Sequence, residues 1–198
     1  MEFKRFFDIT ISTIGLLILS PLMLIIAFSI KLSMPGKVFF RQLRVGKGGS
    51  LFWLFKFRTM GTLPDAEKGR FDPGDTSRVT SLGSFLRKYK LDELPQLINV
   101  LKGEMSLVGP RPEIKKWTEV YPEKWKIVLQ VAPGITDNAS ILFSDEERIL
   151  AQAENPQSTY RDVILPYKLE LYISYVKNHS FYGDIGIILR TLIRVISK

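Results

Sequence analysis

The sequence contains no cysteine and a single histidine, His179. The first absence excludes a disulfide framework, a thiolate nucleophile and cysteine-ligated zinc or iron–sulfur centres. The second excludes a multi-histidine metal cage and any relay between two imidazoles. Catalysis by this chain must rest on carboxylates, lysine, arginine and hydroxyls, and the metal these residue types suit is a hard cation such as magnesium on oxygen ligands. Acids are also missing locally. None occurs from residue 31 to residue 64, a stretch that holds Lys31, Lys37, Arg41, Arg44, Lys47, Lys56 and Arg58. There is no internal repeat and no low-complexity tract.

The 198 residues suit one domain with an appendage. Lysine and arginine number 28 against 20 aspartates and glutamates, a net charge of +8, which favours an anionic partner: nucleic acid, an anionic membrane surface or a phosphorylated substrate. No nucleic-acid-binding motif accompanies the charge, and a long apolar segment argues against that partner. The segment is ITISTIGLLILSPLMLIIAFSI, about 22 uncharged residues between Asp8 and Lys31. At ~1.5 Å per residue it is long enough to cross a hydrocarbon core. It is too long for the apolar part of a signal peptide, and no small-residue cleavage site follows.

Ser20-Pro21 sits near its middle. Pro21 has no N–H and its ring clashes with the carbonyl of Leu17, so a kink or break is expected there, with Ser20 placed to hydrogen-bond a freed carbonyl. Basic residues flank the run on both sides, beginning with Lys4 and Arg5, which puts both ends on the cytoplasmic face. A helix that enters, turns at Ser20-Pro21 and leaves on the same side satisfies that bias; a kinked spanning anchor is the alternative. At the other end of the chain, Arg190, Arg194 and Lys198 recur every four residues among Ile188, Leu189, Leu192, Ile193, Val195 and Ile196. This is the pattern of a basic amphipathic helix in a membrane interface, or of a core helix with solvated basic residues.

Between these segments, VFFRQLRVG and LFWLFKFRTM flank a glycine turn and read as a β-hairpin. Alternation puts Lys56 and Arg58 on one face, a pairing that suits a phosphate or protects an exposed edge. Residues 61–80 read as a loop. Helix resumes at SFLRKYKLDEL, and Pro95 opens a second helix that Gly103 ends. Asp92 and Glu93 thus fall just before a helix N-terminus, where both carboxylates are expected to stay ionised near neutral pH. An ionised pair can divide its work, one oxygen attacking an electrophile while the other carboxylate holds a cation; charge complementarity to the helix is the plainer reading. Arg111, bracketed by Pro110 and Pro112, has little backbone freedom and presents its guanidinium at low ordering cost. Arg87 lies upstream on the helix leading to the acids.

The run LRKYKLDELPQLINVLKGEMSLVGPRPE, with KFRTM before it and APGIT after it, resembles the bacterial sugar transferases, the monotopic polyprenyl-phosphate phosphoglycosyl transferases, in their minimal form. The resemblance extends over nearly the whole chain. It implies transfer of a sugar phosphate from a UDP-sugar to a membrane polyprenyl phosphate of the undecaprenyl type, with release of UMP, at the cytoplasmic face of a bacterial inner membrane. It implies Asp92 as the nucleophile of a covalent phosphosugar intermediate and Glu93 as a magnesium ligand. Lys56, Arg87 and Arg111 match basic family positions that bind phosphates, with Arg58 beside them, and Ser20 and Pro21 make a re-entrant break. The implied architecture is α+β, with a re-entrant membrane helix over residues 1–34 and a cytosol-facing catalytic domain over 35–198 made of a small β-hairpin and interfacial amphipathic helices. The chain departs from the family pattern at Asp137-Asn138-Ala139-Ser140, and at Tyr172, where many members carry an aspartate and Glu170 is the nearest acid. His179 reads as a packing or interfacial residue. A membrane-surface scaffold that binds lipid without catalysis is the competing reading.

Overall fold

A computed structural model describes residues 2–61 and 77–197. The expected loop over 61–80 therefore lies mostly outside the described residues.

The chain opens with α1 (Glu2–Ser33), a single helix that runs through Pro21. Proline removes the bond that Leu17 would have accepted, and Ser20 Oγ supplies a replacement by donating to that carbonyl at 2.9 Å. Helical hydrogen bonding therefore carries on past the expected kink or break, with local repair at Ser20. At ~1.5 Å per residue α1 is about 48 Å long, and it touches the rest of the molecule near both of its ends. Near the first, Arg5 donates to the carbonyls of Val100 and Leu101 at 2.6 and 2.9 Å. Asp8 accepts from Ser106 Oγ and from the Leu107 amide at 2.8 and 3.2 Å, and Lys4 pairs with buried Asp184. Near the second, Ile26 and Ile30 are buried with Met34, Phe57 and Leu86. The opposite face leaves Phe6, Leu17, Ile18, Leu24 and Phe28 exposed. Among the described residues α1 alone is long and apolar enough to cross a membrane.

The predicted hairpin forms as β1 (Phe39–Val45) and β2 (Leu51–Phe57), antiparallel from Phe39 opposite Phe57 to Val45 opposite Leu51. Phe52 and Leu54 turn inward to a core shared with Val100, Met105 and Tyr175. Thr80 caps α2 (Ser81–Lys88) by accepting from the Gly83 amide. Residues 91–93 then make a 3-10 turn before α3 (Gln96–Lys102), which Gly103 ends at φ 83°, as the sequence predicts.

A short parallel pair, β3 (Ser106–Val108) and β4 (Gly134–Thr136), joins the two halves of the body. Between these strands lie α4 (Lys115–Thr118) and α5 (Pro122–Val128). After β4 come α6 (Asn138–Leu142), α7 (Glu146–Ala151), α8 (Pro156–Thr159), α9 (Leu165–Asn178) and α10 (Phe181–Ile196). Trp117, Trp125, Tyr160, Leu165, Leu169 and Tyr172 form the core of this second half. Along α10, Asp184 and Ile187 are buried, whereas Leu189, Leu192, Ile193 and Ile196 are exposed. Its arginines have protein partners: Arg190 donates to Asn138 Oδ1 and Arg194 to Ser144 Oγ. His179 is exposed at the end of α9, beside the Tyr175 ring.

Candidate active site

Asp92 and Glu93 reach the interior because the chain changes direction just before them. After α2, Lys90 adopts φ 55° and ψ 20°, and the following turn carries both acids inward. Lys90 is the one non-glycine residue at positive φ among the described residues, and such a conformation in a lysine costs of order 1 kcal/mol. Asp92 and Glu93 retain only 6 and 7% of their accessible surface. The expected arrangement, a long helix running directly into the acids, is corrected: α2 stops at Lys88, and the acids sit in the turn between two helices.

Three other segments bring cations to this turn. Asn99 on α3 clamps β2 by accepting from the Phe55 amide at 3.1 Å and donating to the Trp53 carbonyl at 2.7 Å. That clamp sets the strand so that Lys56 Nζ lies 2.8 Å from Glu93 Oε1. Arg111 follows β3, and its guanidinium straddles Glu93, with NH1 3.3 Å from Oε2 and NH2 bonded to Oε1. The Arg111 loop is held by close backbone packing: the Gly134 amide donates to the Pro110 carbonyl at 2.9 Å, and a Cβ on Gly134 would lie 2.1 Å from the Gly109 nitrogen. Arg87, on α2, donates from Nε to Thr59 Oγ1 at 2.9 Å and from NH1 to Glu147 Oε1 at 2.7 Å. The field of Arg87 reaches Asp92.

Burial pushes both acids the same way, and the neighbouring charges drive them apart. Burial pushes the Asp92 carboxyl above the usual aspartate range; the Glu93 charge pushes the same way, against the opposing fields of Lys56, Lys90 and Arg87. Burial also works against the ionised form of Glu93, but Arg111, Lys56 and Lys90 together hold it well below the usual range. Glu93 in turn raises Arg111 well above its ordinary value. Asp92 Oδ1 is buried and has no hydrogen-bond partner. A buried acceptor without a donor is costly in a native protein unless a ligand or reacting atom meets it.

Of the sequence-predicted site residues, Asp92, Glu93, Lys56 and Arg111 come together, and Arg87 stands at their edge. Arg58 does not join them. It lies beyond the end of β2, 4% exposed, and donates to the carbonyls of Met34 and Pro35 at 2.6 and 2.8 Å. The expectation that Arg58 binds phosphate is corrected: the guanidinium is committed to the chain leaving α1. Both oxygens of Glu93, the acid expected to hold magnesium, are met by Lys56 and Arg111. No three acids or histidines among the described residues cluster to hold a metal. Of the two acids, Asp92 is the one whose carboxylate has an oxygen without a partner.

Sequence reasoning missed Lys90 and a buried polar network behind Arg111. In that network Arg44 donates to the Pro112 carbonyl at 3.1 Å and to Glu113 Oε2 at 3.2 Å. Glu113 also accepts from Tyr160 and lies 3.7 Å from Lys168. Of these, Glu113 alone carried a signal, at the end of the GPRPE run. Asp137 proves to be the cap of α6, accepting from the Ala139 and Ser140 amides at 2.6 and 3.0 Å. Tyr172 is buried in the core, and Glu170 is spent on a surface pair with Lys124.

A buried carboxylate with an unpartnered oxygen, its neighbour neutralised by two cations and further cations alongside, is a setting in which positive charge can meet an anionic ligand. The sequence profile described as Bacterial sugar transferase matches residues 1–198. The chain belongs to the bacterial sugar transferase family. One similar family member is the uncharacterized sugar transferase EpsL of Bacillus subtilis (strain 168), 39% identical over 99% of this chain and 88% of that protein. Another is the UDP-glucose:undecaprenyl-phosphate glucose-1-phosphate transferase of Xanthomonas campestris pv. campestris, 38% identical over 98% of this chain and 39% of that protein. A third is the UDP-N-acetylgalactosamine-undecaprenyl-phosphate N-acetylgalactosaminephosphotransferase of Aeromonas hydrophila, 36% identical over 96% of this chain and 42% of that protein. This sugar transferase therefore spans about two fifths of the length of the Xanthomonas and Aeromonas relatives.

Proposed function

We propose that this sugar transferase moves a sugar 1-phosphate from a UDP-sugar to a polyprenyl phosphate of the undecaprenyl type, in two displacements at phosphorus. In the first, the Asp92 carboxylate attacks the sugar-bearing phosphorus; an oxygen–phosphorus bond forms to the aspartate, the bond to the bridging diphosphate oxygen breaks, and UMP leaves with that electron pair. In the second, a phosphate oxygen of the polyprenyl phosphate attacks the same phosphorus and expels the Asp92 carboxylate, giving the polyprenyl diphosphate sugar. The single observation that carries this reading is the unpartnered, buried Asp92 Oδ1 beside a Glu93 that Lys56 and Arg111 neutralise. Two acids alone would repel a diphosphate. With Lys56, Arg111, Arg87 and Lys90 around them the cations are in excess, and charge developing on the leaving phosphate meets fixed positive partners.

Magnesium belongs to this reading as an ion carried in by the donor diphosphate, in keeping with its habit of binding through one or two carboxylates plus substrate phosphates. No step above depends on it. The membrane part of the reading is that α1 enters and leaves on the cytoplasmic face of a bacterial inner membrane. What supports this is that both ends of α1 are bonded to one body while the opposite face of the helix is apolar and bare.

The test is intact-protein mass spectrometry after incubation with a panel of UDP-sugars and magnesium. The expected result is a sugar-phosphate adduct and stoichiometric UMP from the unaltered protein, discharged on adding undecaprenyl phosphate, and neither product from Asp92→Asn. An adduct that persists in Asp92→Asn would overturn the nucleophile. No UMP across the panel would favour a lipid-binding scaffold.

A further inference from the structure

Arg87 differs from the other cations of the site in having an acid from a distant element on its outer side. Its Nε is fixed by Thr59, and its NH1 reaches Glu147 on α7, sixty positions along the chain, at 2.7 Å. The Glu147 side chain is 62% exposed. Its neighbour Glu146 turns the other way and pairs at 3.1 Å with Lys168, which is buried. The start of α7 is thus anchored through Glu146, and Glu147 can let go of Arg87 without α7 having to move.

A guanidinium offers the same fork of N–H donors to a carboxylate and to a phosphate. Glu147 therefore occupies, through NH1, a donor that a phosphate oxygen would use. An exposed ion pair of this kind is weak and easily exchanged, which suits a contact that has to yield to substrate. We propose that Glu147 is a stand-in for the donor diphosphate: it keeps Arg87 oriented before the donor arrives, is displaced as phosphate oxygens take its place, and so sets donor affinity from outside the reacting centre. This rests on the reading of Arg87 as a phosphate ligand.

The test is calorimetric titration of the full-length protein with uridine diphosphate in magnesium-containing buffer. Four forms are compared: unaltered, Glu147→Gln, Arg87→Ala and the double variant. Removing the competing charge is expected to tighten binding about 2–5-fold, the range an exposed pair supports. Arg87→Ala is expected to weaken binding, and Glu147→Gln is expected to have no effect in the Arg87→Ala background. Unchanged or weaker binding in Glu147→Gln, with Arg87→Ala still weakened, overturns the stand-in role and leaves Arg87 a phosphate ligand. Tightening that persists in the double variant overturns it too, because the effect would then be one of overall charge. Binding unaffected by Arg87→Ala removes the phosphate role of Arg87 and the proposal with it.

Discussion

Asp92 and Glu93 are neighbours of one chemical type, and their surroundings drive their proton affinities apart. Glu93, between Lys56 and Arg111, stays ionised to well below the usual range, so its contribution to stability is in place above about pH 4.3 and is lost only as pH falls through its lower folded value. Asp92 moves the other way, since burial and the Glu93 charge both favour its protonated form. Attack on phosphorus needs the carboxylate, so the acid limb of adduct formation is expected above the ordinary aspartate value of about 3.9. In Glu93→Gln the repelling charge is gone and the limb is expected to move to lower pH. The rate itself is expected to fall about tenfold or more, as Lys56 and Arg111 lose the counter-ion that orients them. Quenched-flow measurement of the adduct between pH 3 and pH 8 reads both effects. A limb that moves upward in Glu93→Gln would show that Glu93 does not set the Asp92 proton affinity.

At the scale of elements, what was legible in the sequence was what is local. The β-hairpin, the glycine stop of α3 and the Ser20 repair of the Leu17 carbonyl each depend on residues a few positions apart. The Glu113 network was not legible, because Arg44, Glu113, Tyr160 and Lys168 meet only once four separate segments have packed. Of the candidate site, Asp92, Glu93 and Arg111 could be read from one stretch of chain, whereas placing Lys56 on Glu93 needed the Asn99 clamp between α3 and β2. Arg58 was misplaced for a related reason. Strand alternation assigned it the face of Lys56, but the strand ends at Phe57 and the next residue turns toward the carbonyls that follow α1. Arg58→Ala is therefore expected to loosen the exit of α1 and not the phosphate site. Two charge-assisted bonds are lost, a destabilisation of about 2–4 kcal/mol in denaturant titrations, while the folded fraction binds uridine diphosphate as before. Weakened nucleotide binding at full stability would return Arg58 to the site.

For the whole molecule the deciding question is how a helix of about 48 Å relates to the body it is bonded to. A straight span would place Arg5 and Ile30 on opposite sides of a bilayer. Yet Arg5 holds the end of α3, and Ile30 packs against Leu86 of α2, and α2 and α3 are joined by the single turn that carries Asp92. One body cannot lie on both sides, so the proposed re-entrant arrangement, which keeps both contacts, predicts both ends of α1 on the side of the body and the exposed Phe6, Leu17, Leu24 and Phe28 toward lipid. The absence of cysteine makes this directly measurable, because each introduced thiol is the only one present. Glu2→Cys and Ser33→Cys, placed at the two ends of α1, are both expected to react with a membrane-impermeant maleimide in inverted inner-membrane vesicles. In intact spheroplasts both are expected to stay unlabelled until the membrane is permeabilised. Opposite labelling of the two ends would mean that α1 spans, and would require one set of its contacts with the body to open in the membrane.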